Sequence, residues 1–211
     1  MLSEKYLRNV PLPEGLTQKN IFDALQRTQE LFKMIRENTG LNLSTIIQAN
    51  NFSGIVSNVF TKKLSDISIY RANNERTYPD LLHESKSIGL EVKATKKSFK
   101  GGEGHNGHSG WHIIICYKIF SNGDIEFIQV EIAELIGYEF DNSDWKYLGS
   151  QRNQNNSQRT ETYVTNNIGT AKLRDGIVYL NTDEIKITSQ LKKNREKLSS
   201  VLPIPKYSPF A

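Results

Sequence analysis

Apolar residues recur at helical spacing through the first third of the chain. Between Thr17, which is suited to cap a helix, and the stop signal that ends at Gly40, the apolar positions fit one helix face. A second stripe runs over 47–64, with Ser44 as a candidate cap and a break expected at 50–54, where asparagine and glycine are poor helix formers. The apolar positions are Ile21, Leu25, Phe32, Ile35, Ile47, Phe52, Ile55, Val56, Val59, Phe60 and Leu64. The pattern therefore predicts two packing helices.

The pattern changes to that of β-strands in the middle of the chain. Over 88–95 apolar and polar residues alternate, so the apolar set faces one side of a strand while Glu91, Lys93 and Thr95 face the other. The continuous apolar run over 111–120 predicts a strand that is buried on both faces.

Turn signals predict how these strands are connected. The Gly-rich segment 97–110 is expected to be a loop, because glycine loses much conformational freedom in a regular element. Asn-Gly within 121–124 predicts a type I′ hairpin turn. We expect a return strand over 125–132 and a short helical turn over 133–136.

The last third of the chain contains a long polar segment at 149–167. Strand-like sequence at 160–165 and 177–180 places this segment inside the domain. A long insertion inside a compact domain usually has a function. A basic helix is expected within 184–201.

Composition limits the classes of protein that need consideration. The chain has 211 residues, of which 37% are hydrophobic, and a formal net charge of +4. One cysteine, Cys116, excludes an internal disulfide framework, and no apolar run is long enough to span a bilayer. The N-terminus lacks the apolar core of a secretion signal. We expect a soluble, intracellular protein, and the mildly basic balance is compatible with a polyanionic partner.

The residues with the clearest chemistry are Asp80, Glu91 and Lys93. Glu91 and Lys93 are two apart on one strand and share a face, and Asp80 lies on a preceding strand or turn that can pair with it. Mg²⁺ favours oxygen ligands and usually takes one or two carboxylates. Asp80 and Glu91, with the backbone carbonyl of Val92 as a possible third ligand, meet that requirement. Lys93 would orient a water molecule and stabilise negative charge on a phosphate.

Pro79-Asp80 followed by Glu91-X-Lys93 resembles the PD-(D/E)XK nucleases, and the chain length suggests the type II restriction endonucleases. The resemblance covers about residues 44–132. It implies an α/β (α+β) fold with a mixed central sheet flanked by helices. It also implies Mg²⁺-dependent cleavage of double-stranded DNA at a short specific sequence, 5′-phosphate products, a homodimer and a prokaryotic cytoplasmic location. The family usually has a helix after the Glu-X-Lys strand, which the Gly-rich interval here leaves reduced or displaced.

On this interpretation the whole chain is a single nuclease domain. Residues 1–43 form an N-terminal helical arm that is also a candidate dimerisation element. Burial of its helix in the core of its own chain would explain the apolar face equally well. Residues 44–132 form the catalytic core, and 133–211 hold a DNA-recognition loop and C-terminal elements. Asn58, Asp66 and Thr95 are candidate accessory residues.

Two segments are candidates for DNA contact. The glycine loop would contact phosphate near the metal, and the 149–167 segment offers the Arg, Asn and Gln side chains that read base edges. Lysine contacts would position the protein without specifying sequence. The candidate DNA-binding residues are Lys96, Lys97, Lys100, His105, Asn106, His108, Arg152, Asn153, Asn155, Gln158, Arg159 and Lys172.

Three alternatives stay open on the sequence. The same site could serve a structure-selective nuclease, such as a junction resolvase or repair enzyme. The chain could instead be a DNA-binding module without catalysis. Otherwise, Pro79-Asp80 is an ordinary turn, Glu91 and Lys93 form a surface salt bridge, and the protein binds no nucleic acid.

Overall fold

The computed structural model describes residues 2–75, 77–104, 107–149 and 162–211. The helices are α1 (Gln18–Thr39), α2 (Leu43–Ile46), α3 (Ala49–Ser65), α4 (Asn167–Asp175) and α5 (Ser189–Glu196). The strands are β1 (Tyr70–Ala72), β2 (Leu81–His83), β3 (Gly89–Thr95), β4 (Glu103–Gly104), β5 (Gly110–Ile119), β6 (Ile125–Leu135), β7 (Trp145–Tyr147), β8 (Tyr163–Thr165) and β9 (Ile177–Leu180). The chain is a mixed α/β protein, as predicted. Within the described residues, no helix combines the length and the apolar character needed to cross a membrane.

Helix α1 begins and ends where the sequence predicts. The backbone N–H of Asn20 donates to the Thr17 hydroxyl at 3.1 Å, and the Thr17 N–H donates to the Asn20 side chain at 3.1 Å, which forms a capping box. Gly40 ends the helix with a φ of 70°, a conformation that glycine adopts without strain. The residues that α1 buries in the core of its own chain are Ile21, Phe22, Ala24, Leu25, Thr28 and Phe32.

The second predicted helix is divided, but not at the predicted place. The short helix α2 is capped by Asn42, whose side chain accepts from the N–H of Ser44, so Ser44 is not the cap. The chain leaves helical geometry at 47–48, and α3 then continues through the predicted break at 50–54. Burial of its apolar side chains supplies the stability that asparagine and glycine lack as helix formers.

The main sheet has six strands in the order β1-β2-β3-β5-β6-β9. Strands β1, β2 and β3 form an antiparallel meander, β3 pairs in parallel with β5, and β5, β6 and β9 pair antiparallel. Parallel strands need a crossover connection, which is usually a helix. Here the crossover, residues 96–109, contains the two-residue strand β4 and no helix among its described residues, which confirms the loop prediction in most of its length.

The two faces of the main sheet have different roles. Helices α1 and α3 cover one face, where Leu90, Val92 and Ile113 are buried in the largest apolar cluster. The opposite face presents Glu91 and Lys93, because side chains alternate along a strand. It is covered by α4 and by a small sheet in the order β4-β8-β7.

Two local predictions were wrong. In the hairpin between β5 and β6, Gly123 has a positive φ of 89° and Asn122 does not, whereas a type I′ turn needs two positive values. The helical turn expected over 133–136 is absent, because β6 stays extended to Leu135 through its pairing with β5. The strand expected over 177–180 is confirmed as β9, and the basic C-terminal helix is the shorter α5.

Candidate functional site

The candidate site lies where β3 continues past the end of β2. The ladder between these strands ends with Leu81 opposite Leu90, so Asp80 comes one step later and faces Glu91. Among the described residues, no strand pairs with the β2 side of β3 beyond that point. The Asp80 Oδ2 atom occupies this edge and accepts a hydrogen bond from the backbone N–H of Val92 at 2.8 Å.

The three side chains singled out in the sequence meet at this edge. The Lys93 Nζ atom lies 2.6 Å from Glu91 Oε1, and the Asp80 carboxyl group is close enough to Glu91 for the charge of Glu91 to raise its pKa. The Glu91 side chain is 12% exposed and that of Lys93 is 34% exposed, so the cluster opens to solvent on the side of the ammonium group. Two carboxylates and one cation therefore share one partly buried edge.

The surroundings of Asp80 raise the pKa of its carboxyl group. Burial, and then the charge of Glu91, raises the pKa of Asp80 to about 6. The hydrogen bond from Val92 and the charge of Lys93 act in the opposite direction but are weaker. Raised carboxyl pKa values of this kind are frequent at functional sites, although structural clusters show them as well.

The segment before β2 is packed tightly against β3. A Cβ atom at Gly89 would lie 2.1 Å from Pro79 Cγ, so the absence of a side chain at Gly89 lets Pro79 lie directly on the strand. The Asn73 side chain donates to the Pro79 carbonyl at 3.1 Å, and the Asn73 N–H donates to the Asp80 carbonyl at 2.8 Å. These contacts fix the backbone from which the Asp80 carboxylate projects.

The donor set of this edge fits a magnesium ion. N–H and C=O of one strand residue point to the same side, so the Val92 carbonyl points to the side on which Asp80 lies, since its N–H bonds that carboxylate. Across the described part of the chain, no three His, Cys, Asp or Glu side chains are grouped so as to hold a metal ion. The fit therefore depends on Asp80, Glu91 and the Val92 carbonyl, and Mg²⁺ usually takes one or two carboxylates and keeps several waters.

Two neighbours of the cluster are residues to which the sequence analysis assigned no role there. His112 on β5 is directly opposite Glu91 in the parallel ladder, and its Nδ1 lies 2.9 Å from the Gly110 carbonyl. Burial lowers the pKa of His112 to about 4, so the ring is neutral at physiological pH. Tyr78 packs its ring against His108 and His112 at centroid distances of 4.5 and 6.0 Å. Recognising these neighbours requires the β3–β5 register, which local sequence does not encode.

The accessory candidates are placed differently. Thr95 shares the face of Glu91 and Lys93 and accepts from the N–H of Lys97 at 3.1 Å. Asn58 is exposed on α3, a helix that packs on the opposite face of the sheet. Asp66 is exposed at the end of α3 and pairs with Lys62. The structure thus brings Thr95, and not Asn58 or Asp66, to the face of the cluster.

The candidate DNA-contacting residues are partly described. Lys96 and Lys97 are exposed at the start of the crossover, and Lys100 is half-buried. Lys172 pairs with the buried Asp144 at 2.6 Å. The remaining candidates that lie outside the described residues are His105, Asn106, Arg152, Asn153, Asn155, Gln158 and Arg159.

Comparisons with protein-family models, with curated proteins and with solved structures returned no match for this chain. The functional interpretation therefore depends on the geometry described above.

Proposed function

We propose that this chain is a type II restriction endonuclease of the PD-(D/E)XK kind. It would hydrolyse phosphodiester bonds of double-stranded DNA at a short specific sequence, with Mg²⁺, and leave 5′-phosphates. The main supporting observation is the contact between Lys93 and Glu91 at 2.6 Å, beside the half-buried Asp80 at the edge of β3 where its ladder with β2 ends. An ordinary turn next to a surface salt bridge would not need Asp80 to lie half-buried beside Glu91, because two neighbouring carboxylates repel each other.

The order of elements supports the same proposal. Helix α3 is followed by the meander β1-β2-β3 and then by β5, which lies parallel to the strand that bears Glu91 and Lys93. This is the order that the resemblance implies for a restriction-endonuclease-like core. The crossover between β3 and β5 departs from that pattern, since its described residues include no helix.

The residues of the cluster have distinct roles in the proposed reaction. Asp80, Glu91 and the Val92 carbonyl would hold Mg²⁺, and such an ion would supply Lewis-acid polarisation of the scissile phosphate. Lys93 orients the attacking water and stabilises the negative charge that develops on the phosphate. The water oxygen bonds to phosphorus and releases a proton to solvent, while the bond to the 3′ oxygen breaks and that oxygen takes up a proton from solvent to become a hydroxyl. The product then carries its phosphate on the 5′ side.

Specific cleavage needs groups that read bases and a way to cut both strands. The Asn, Gln and Arg residues between β7 and β8 in the sequence are the proposed source of base contacts. The exposed Lys96 and Lys97 follow the end of β3, three and four residues beyond Lys93, where they can meet phosphate. A homodimer with one site per strand would match a palindromic target.

The test is incubation of the purified protein with phage DNA and Mg²⁺. Discrete fragments are expected for the wild-type protein, and Lys93→Met should reduce their rate of formation about 10²- to 10⁴-fold. Lys118→Met is the matched control: Lys118 is similarly exposed, at 29%, and pairs with Glu126 and Glu184 instead. Salt-sensitive DNA binding in Ca²⁺ should survive in both variants.

The outcomes separate the possible functions. A smear in place of discrete bands would favour a nonspecific or structure-selective nuclease. Metal-independent DNA binding with no hydrolysis would favour a binding module, and equal loss of cleavage in both lysine variants would contradict the role given to Lys93.

A further inference from the structure

The hydroxyl of Tyr78 connects two parts of the chain that are distant in sequence. It donates a hydrogen bond to the Ser109 carbonyl at 2.7 Å, and the ring lies 4.5 Å from that of His108. Ser109 and His108 end the crossover that begins just after β3. Tyr78 is two residues before Asp80, so one side chain links the crossover to the segment that presents this carboxylate.

The chain around this contact leaves room for it. Gly110 has a φ of 130°, which L side chains rarely adopt, and a Cβ atom there would lie 2.9 Å from the Tyr78 hydroxyl. A side chain at position 110 would therefore compete with the phenol for the same space. Burial raises the pKa of Tyr78 above its ordinary value, so its hydroxyl remains a donor throughout the working pH range.

The other end of the segment is fixed independently. Asp80 Oδ2 accepts from Val92 N–H at 2.8 Å, and Pro79 rests on Gly89. The segment 78–80 is therefore held at Asp80 by a hydrogen bond from β3 and at Tyr78 by a hydrogen bond to Ser109, just before β5.

We propose that Tyr78 is a positioning residue of the cleavage site, and that its hydroxyl makes the position of the Asp80 carboxylate depend on the end of the crossover at residues 107–109. This inference rests on the proposed function. The hydrogen bond from Tyr78 to Ser109 would then help to hold the carboxylate geometry that hydrolysis needs.

The experiment compares Tyr78→Phe with Tyr70→Phe. Tyr70 is a matched control, because its hydroxyl donates to the Glu14 carbonyl at 2.8 Å on the other side of the meander. Both variants keep the ring and lose one phenol-to-carbonyl hydrogen bond. We expect Tyr78→Phe to lower kcat for DNA cleavage about five- to tenfold, with KM for DNA within about twofold of wild type. Higher Mg²⁺ should restore part of the rate, and Tyr70→Phe should leave kcat unchanged.

A second measurement does not require cleavage. Amide hydrogen exchange at Val92 reports whether its N–H still bonds the Asp80 carboxylate, and it should be at least about threefold faster in Tyr78→Phe than in wild type or Tyr70→Phe. If wild-type protein cleaves DNA but the two variants match in kcat and in Val92 exchange, the positioning role is wrong and the proposed function stands. If wild-type protein does not cleave DNA, the proposed function fails, and the Val92 comparison alone supports or overturns the tie between Tyr78 and Asp80.

Discussion

At the scale of single residues, Asp80 shows how a reactive arrangement conflicts with stability. Its carboxyl group is partly buried next to Glu91, and the nearby ammonium group of Lys93 bonds Glu91. Ionising Asp80 in the folded chain is therefore harder than in the unfolded chain. A divalent cation would remove this conflict, which is a reason for such a pair to exist at an open strand edge.

We predict that Asp80→Asn stabilises the metal-free protein above pH 6. The pKa of Asp80 is raised to about 6, so the folded state holds a proton that the unfolded state has released, and stability is lost as pH rises from about 4 to 6. Asparagine stays neutral and can still accept from Val92. The melting temperature should rise by a few degrees at pH 8 and change little below pH 4, by calorimetry in EDTA.

Asp124→Asn is the contrasting control for that prediction. The hydrogen bonds from Arg36 hold the pKa of Asp124 below its ordinary value, so ionised Asp124 stabilises the fold. Its substitution should lower the melting temperature at pH 8. A fall with both variants would mean that Asp80 is not disfavoured as a carboxylate.

At the scale of elements, sequence predicted what local chemistry determines. The ends of α1 follow from Thr17 and Gly40, and the face of β3 that carries Glu91 and Lys93 follows from strict alternation. The errors arose where tertiary contacts prevail: α3 continues through 50–54 because its apolar side is buried, and β6 stays extended because β5 pairs with it. The sequence allowed the prediction that Asp80 lies on a segment that pairs with the strand of Glu91. The position of His112 beside Glu91 could not be predicted, because it depends on the register between the parallel strands β3 and β5.

The packing of Pro79 on β3 gives a prediction at this scale. Gly89→Ala places a Cβ atom 2.1 Å from a rigid proline ring, so the segment carrying Asp80 must shift. We expect a loss of about 1–3 kcal/mol in unfolding free energy and a fall in DNA cleavage. Gly54→Ala is the control, because a Cβ atom there meets nothing within 4 Å on α3 and should stabilise the fold by about 0.5–1 kcal/mol. Urea unfolding of both variants makes the comparison, and equal effects would contradict the packing argument.

At the scale of the whole molecule, the C-terminal segment, residues 185–210, packs against the crossover at Phe99. Phe99, which has a positive φ of 56°, is buried in a cluster with Phe210. Its N–H donates to Gln129 at 3.0 Å, and Arg174 donates to its carbonyl at 2.8 Å. The crossover is thus held at Phe99 by the C-terminal half and at Ser109 by Tyr78, so the site depends on contacts from residues far apart in sequence.

The buried pair Arg195–Asp175 fixes that C-terminal segment and gives the last prediction. The side chains are 2% and 4% exposed, and Arg195 donates to both carboxylate oxygens of Asp175 and to the Leu202 carbonyl at 2.9 Å. Arg195→Met leaves Asp175 buried with the Ser208 hydroxyl as its remaining described side-chain donor. We expect a loss of about 3–5 kcal/mol in unfolding free energy, measured by urea titration.

The exposed pair Lys5–Asp183 provides the control for that measurement. Its side chains are 61% and 67% exposed, so water replaces the lost partner and Lys5→Met should leave the unfolding free energy unchanged within error. Because the C-terminal segment packs on Phe99, Arg195→Met should also speed amide exchange at Phe99, whose N–H bonds Gln129. Global destabilisation with unchanged relative protection of Phe99 would mean that the C-terminal segment stabilises the fold without supporting the crossover.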